Sequence, residues 1–196
     1  MIDEGYIKFE AEWSEEPLGD YPQLNELIQF RQQLFALNWI GAYPDGIGFG
    51  NISVKLDQWD DFLISGSTTG NIKELTEAHF SRVYEVNINA NTLKCKGPII
   101  ASSESMTHAA VYQGDSSIQA VIHIHDKSSW EALQFKYPTT AADIPYGTPA
   151  MAYAVKHLVR GIGHTGLIIM AGHEEGIISF GPSLQVAMEQ LNTHLL

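Results

Sequence analysis

The sequence has a single cysteine, Cys95, so no disulfide can form within the chain. Positive charge is scarce as well. Eleven Lys and Arg stand against 23 Asp and Glu, a formal net charge of −12. Such a chain repels nucleic acid and anionic lipid overall, and no basic cluster offsets the deficit. An anionic small molecule then has to be held by local donors or by a cation. No run reaches the roughly 20 apolar residues that cross a bilayer. Met1–Trp13 carries four acidic residues and no apolar stretch, which does not read as a signal peptide. With one cysteine and no targeting segment, a cytoplasmic, reducing setting is expected. There is no linker, low-complexity tract or internal repeat.

What is present fits one globular domain of 196 residues, 44% apolar and 17% charged. The expected domain is 1–196, with an acidic, peripheral extension before Asp20. A helix is expected from Asp20, with Pro22 near its first turn and Gly41 and Pro44 ending it. Strands are expected at 49–56, 61–65, 81–89 and 92–96. A helix over 103–113 follows, with Ser102 or Ser103 as its cap. Then come a strand at 119–125, helices at 127–135 and 149–160, strands at 167–171 and 176–180, and a closing helix at 183–193. Intermixed strands and helices, several strands joined by turns, suggest a mixed sheet covered on both faces.

Eight histidines are many for this length. In Ala120-Val-Ile-His-Ile-His-Asp126 the period of two puts His123 and His125 on one face of a strand, with Ile122 and Ile124 on the other. Two imidazoles so placed can share a borderline metal ion; they can also be hydrogen-bonded histidines at a strand end. His173 stands after another apolar strand, beside Gly172, and makes a third ligand. Three protein ligands with a fourth position open mark a catalytic metal. Glu174 or Glu175 can support the ligands from behind. Glu104 opens a helix, where acidic residues are ordinary, and His108 lies one turn on. Asp126 either caps the next helix or supports the ligands, and the cap is favoured. The small-residue stretches Gly50-Asn-Ile-Ser53 and Thr68-Thr-Gly70 read as turns or as phosphate donors. His79, His157, His164 and His194 read as bland, and Cys95 as inert.

Six pieces occur in a fixed order: Gly50-Asn-Ile-Ser53; Thr69-Gly70 before Leu75-Thr76; Ser102-Ser-Glu104 with His108; His123-Ile-His125; Pro145-Tyr-Gly-Thr148; and Gly172-His-Glu-Glu-Gly-Ile177. Over about Gln23–Leu191 the chain resembles the class II aldolase/adducin family. The resemblance implies a three-layer α/β/α sandwich around a mixed, mostly antiparallel sheet. It implies Zn2+, or Mn2+, Co2+ or Ni2+, on His123, His125 and His173, with Glu104 as acid–base. It places substrate phosphate on Asn51, Thr69, Gly70, Ser102 and Ser103. The implied activity is that of a metal-dependent aldolase-type lyase acting on a sugar-phosphate-like hydroxy-carbonyl compound. A dehydratase or epimerase with the same metal, and a non-catalytic adducin-like interaction module, are the alternatives. A cytoplasmic homotetramer with no nucleic-acid or membrane partner is expected. Two departures stand out. The stretch between His125 and Pro145, which carries a tyrosine acid in the sugar-phosphate aldolases, is shorter here; Tyr137 and Tyr146 are the nearest candidates. The chain also stops soon after its last helix, without the tail that can cover a neighbour's site.

Overall fold

The computed structural model describes residues 6–195. Ten strands are β1 (Glu10–Glu15), β2 (Gly41–Ala42), β3 (Gly48–Phe49), β4 (Asn51–Lys55), β5 (Phe62–Ser65), β6 (Phe80–Asn87), β7 (Thr92–Gly97), β8 (Ala120–His125), β9 (Gly166–Ile169) and β10 (Gly176–Gly181). Five helices are α1 (Leu24–Ala36), α2 (Ser105–Gly114), α3 (Lys127–Leu133), α4 (Pro149–Ile162) and α5 (Leu184–His194). Eight strands form one sheet in the order β1-β7-β6-β5-β4-β8-β10-β9; β2 and β3 form a separate short ribbon. Only β1 with β7 is a parallel pair in the large sheet; its other neighbours run antiparallel.

Strand alternation divides the core in two. Ile52 and Val54 of β4, Ile122 and Ile124 of β8, and Ile177 of β10 pack with Leu27 and Leu34 of α1 and with Ala187 and Leu191 of α5. Val121 of β8 and Ile178 and Phe180 of β10 pack the other way, with Met106 and Ala110 of α2 and Val155 and Val159 of α4. The result is the α/β/α sandwich on a mixed, mostly antiparallel sheet. Among the described residues no helix is long and apolar enough to cross a membrane.

Caps fix the helix starts that bear on the site. Asp126 accepts from Ser129 N at 2.7 Å, so it caps α3, in line with the favoured reading. Thr148 and Ser183 do the same for α4 and α5, with Pro149 in the first turn of α4.

Several boundaries differ from the sequence reading. The acidic segment before Asp20, to which the sequence assigns no element, supplies edge strand β1, anchored by the buried Phe9 and Leu18. α1 starts at Leu24, not Asp20, so Pro22 precedes its N-cap, Gln23. It stops at Ala36, well before Gly41, because Asn38 takes a left-handed φ of 57°. The cap position of α2 is Glu104, with no side-chain cap bond, in place of Ser102 or Ser103. Ser102 acts one step earlier: its hydroxyl accepts from Glu104 N at 3.3 Å.

Candidate metal centre and anion hollow

β8 lies inside the sheet between β4 and β10, so both its faces are covered. Its last residues carry His123 and His125 toward the α2 side. The turn between β9 and β10 brings His173 to the same place, through His173 N to Met170 O and Gly176 N to His173 O. One possible ligand atom from each of the three lies within 4.8 Å of the others, and all three side chains are buried. Gly176 permits this approach: a Cβ there would lie 3.1 Å from ring atoms of both His123 and His173. Gly172 is as tightly constrained, since a Cβ would meet Ile144 O at 1.8 Å.

Hydrogen bonds assign the tautomers. His123 Nδ1 lies 3.2 Å from Ile177 O, which only accepts, so Nδ1 carries the proton. Tyr43 OH lies 2.8 Å from both Glu175 Oε2 and His125 Nδ1. Its one proton goes to the carboxylate, and its oxygen accepts from His125 Nδ1–H. Both rings therefore turn an Nε2 lone pair inward, and the two Nε2 atoms are 3.3 Å apart. Two lone pairs at that distance repel unless a cation lies between them. Nitrogens at zinc's usual bond length of about 2.0–2.1 Å and tetrahedral angles stand about 3.3–3.4 Å apart. The His123–His125 pair thus has the spacing of two ligands on a tetrahedral divalent ion, and His173 brings a third possible ligand atom within 4.8 Å. Desolvation first, and His173 second, push His123 and His125 well below the usual histidine pKa, which keeps them neutral, the form that can ligate a metal.

The rings are held from outside as well. Phe49 stacks on His125 at 5.4 Å, and Tyr146 stacks on His173 at 4.5 Å. Of the two tyrosine candidates, Tyr146 therefore lies against the triad, whereas Tyr137 is bonded to His194 of α5 at 2.8 Å.

Beside the triad is a polar hollow lined by Gly48, Gly50, Asn51, Gly66, Ser67, Thr68, Thr69, Gly70, Ser102 and Ser103. It contains all five residues expected to hold phosphate. Asn51 joins the two regions, since it lines the hollow and is the register partner of His123. Glu104 follows directly from the hollow's wall and is 2% exposed. One turn on, His108 Nδ1 and Tyr112 OH each lie 2.6 Å from Ser53 Oγ on β4, tying α2 to the sheet under the site. Burial pushes the Cys95 thiol upward, in keeping with an inert core residue. His79 is spent in a capping box with Thr76.

Three contributors were not legible as site residues. Tyr43 reads as part of a Tyr-Pro-Asp-Gly turn, and Phe49 as a strand residue. Arg31 offered a signal, a charge on the apolar stripe of Leu27 and Leu34. It is 1% exposed and lies under the hollow's loop.

The family model for the class II aldolase and adducin N-terminal domain matches residues 25–194. No curated protein matches the sequence. Among solved structures, L-fuculose-1-phosphate aldolase from Thermus thermophilus is similar at 24% identity over 87% of this chain and 86% of that one, with a TM-score of 0.61. Another L-fuculose 1-phosphate aldolase gives 21%, 89%, 82% and 0.66. YgbL from Klebsiella pneumoniae, whose activity is given only as aldolase/epimerase/decarboxylase, gives 20%, 87%, 84% and 0.63. At these identities the likeness speaks for a shared fold.

Proposed function

Since the chain belongs to the class II aldolase and adducin family, we propose that it is a divalent-metal-dependent aldolase-type lyase acting on a small phosphorylated hydroxy-carbonyl compound. The observation that carries this reading is the pair of inward Nε2 lone pairs 3.3 Å apart, with His173 as the third ligand. A non-catalytic interaction module has no use for a buried trio of imidazoles, two of them desolvated and in tautomers set for ligation. Zinc, or another divalent ion that imidazole accepts, is held by His123, His125 and His173. When bound it supplies Lewis-acid polarisation beside the substrate carbonyl, where charge develops as the C–C bond breaks.

The protein's own groups do the rest. Asn51, Thr69, Gly70, Ser102 and Ser103 hold the phosphate and so fix the reacting carbons relative to the triad. Glu104, at the junction of hollow and helix, moves the proton to and from the reacting carbon or hydroxyl. Tyr43 and Glu175 keep His125 in its ligating tautomer. Ketose 1-phosphates are the first substrates to screen. We propose a homotetramer in solution, the assembly that the family resemblance implies.

With Tyr137 hydrogen-bonded to His194, Tyr146 is the tyrosine candidate beside the triad; if it does not serve as the acid, the second chemistry on the same metal is dehydration or epimerisation, which product analysis separates from C–C cleavage. Glu104→Gln tests the assigned role. Turnover should fall by about 10²-fold or more while metal content and phosphate binding persist. Full turnover in that variant would remove Glu104 from the mechanism.

A further inference from the structure

Arg31 sits in the sheet-facing stripe of α1, almost sealed from solvent. Its guanidinium is spent on one stretch of backbone. Nη2 donates to Thr69 O at 2.8 Å and Gly70 O at 3.1 Å; Nη1 donates to Ile72 O at 2.5 Å and Lys73 O at 3.3 Å. The Phe35 ring lies 4.8 Å from Cζ. Among the described residues no carboxylate pairs with it. Desolvation lowers its pKa to about 10, which leaves it charged at neutral pH. A buried cation satisfied only by neutral carbonyls is an expensive arrangement without an anion nearby.

The geometry of the loop shows where that anion belongs. In a trans peptide the C=O and N–H point in opposite directions. With the carbonyls of Thr69 and Gly70 turned to Arg31, the N–H groups of Gly70 and Asn71 are turned away from it. Neither N–H donates to an acceptor among the described residues. Thr69 and Gly70 form the wall of the polar hollow. Gly70 itself cannot carry a side chain, because a Cβ would lie 2.1 Å from Gly41 O.

We propose that Arg31 is the buried positive charge of the anion site: a positioning residue that holds the 69–73 loop with its N–H groups outward and lends its charge to a phosphomonoester through two aligned peptide units, without touching it. This rests on the reading of the hollow as a phosphate cradle. It also explains how a chain of net charge −12 would hold an anion in a hollow that, among the described residues, no lysine or arginine lines.

The test titrates inorganic phosphate into the zinc-loaded full chain and follows the Gly70 and Asn71 amide resonances, which separate the hollow from the metal. In the wild type both amides shift with saturation, and the Arg31 guanidinium resonances shift with them. Arg31→Met should weaken the constant read at those amides by about tenfold or more. Arg31→Lys should recover most of it, with zinc content unchanged in both. Saturation in Arg31→Met within about twofold of wild type overturns the role of Arg31 and leaves the cradle standing. Silence of the wild-type amides at saturating phosphate overturns the cradle and the inference together. If neither variant folds, the wild-type guanidinium resonances decide, since their indifference to phosphate overturns the proposal.

Discussion

At His108 burial holds the imidazole neutral, with its pKa pushed down to about 3 by desolvation. Unfolded, the same group takes its proton near 6.5. Between these values the unfolded chain binds more protons than the folded one, so stability falls as pH falls through that window. At pH 5 the loss from this residue alone is about 2 kcal/mol. Denaturant unfolding of metal-free wild type and His108→Gln at pH 7 and pH 5 isolates it, because the triad contributes alike to both proteins. The wild type should lose about 2 kcal/mol more than the variant over that drop. Equal losses would mean that His108 gains water or a partner and is not held neutral. The comparison also shows why residues differ in legibility. His123 and His125 declare themselves through a period of two on an apolar strand. His108, Tyr43 and Arg31 do not, because each acts through a partner distant in the chain: Ser53, Glu175 and the 69–73 carbonyls.

Among the elements, α3 depends most on one side chain. It has seven residues, too few for stability on helix propensity alone, and Asp126 supplies its N-cap. Asp126→Ala should cost about 1 kcal/mol of stability and leave zinc content at wild-type level. Calorimetry with elemental analysis reads both. Loss of zinc at unchanged stability would instead make Asp126 a supporter of the adjacent ligand His125. A cap of this kind is local chemistry, which is why Asp126 was readable as the start of α3, whereas Ser183, expected as the first residue of the closing helix, is its N-cap. β1 was not readable in this way. Glu-Ala-Glu-Trp-Ser-Glu carries few apolar residues, and what makes it a strand is parallel pairing with β7, about 80 residues away. The early stop of α1 was missed for a related reason. Asn38, a residue tolerated in the left-handed region, ended the helix before the more conspicuous glycine and proline were reached.

For the molecule as a whole, the candidate metal site joins parts that are far apart in sequence. Two of its histidines stand on β8 inside the sheet, and the third on the turn from β9 to β10 near its edge. An ion bound there favours the folded state by mass action, about 2.7 kcal/mol at a free concentration 100 times its Kd. For a domain of this size that is a rise in Tm of about 5–10 °C. The strand order could not have been read from local sequence, since β4, β8 and β10 are neighbours only through long-range pairing; the family resemblance carried only the expectation of a mixed, mostly antiparallel sheet. The triad's place in that order now makes a prediction about stability. A chelator should lower the Tm of the full chain by about 5–10 °C, zinc should restore it, and the His123→Ala/His125→Ala double variant should respond to neither. Two outcomes are informative beyond the shift itself. A wild type that binds one ion per chain without gaining stability would mean that the unfolded chain binds it comparably, leaving the catalytic reading intact. A wild type that takes up no ion at any zinc concentration would leave the buried histidine trio, with the inward lone pairs of His123 and His125, without an occupant. The fold would then be serving the family's other use, as an interaction module, and the search for a lyase substrate would end.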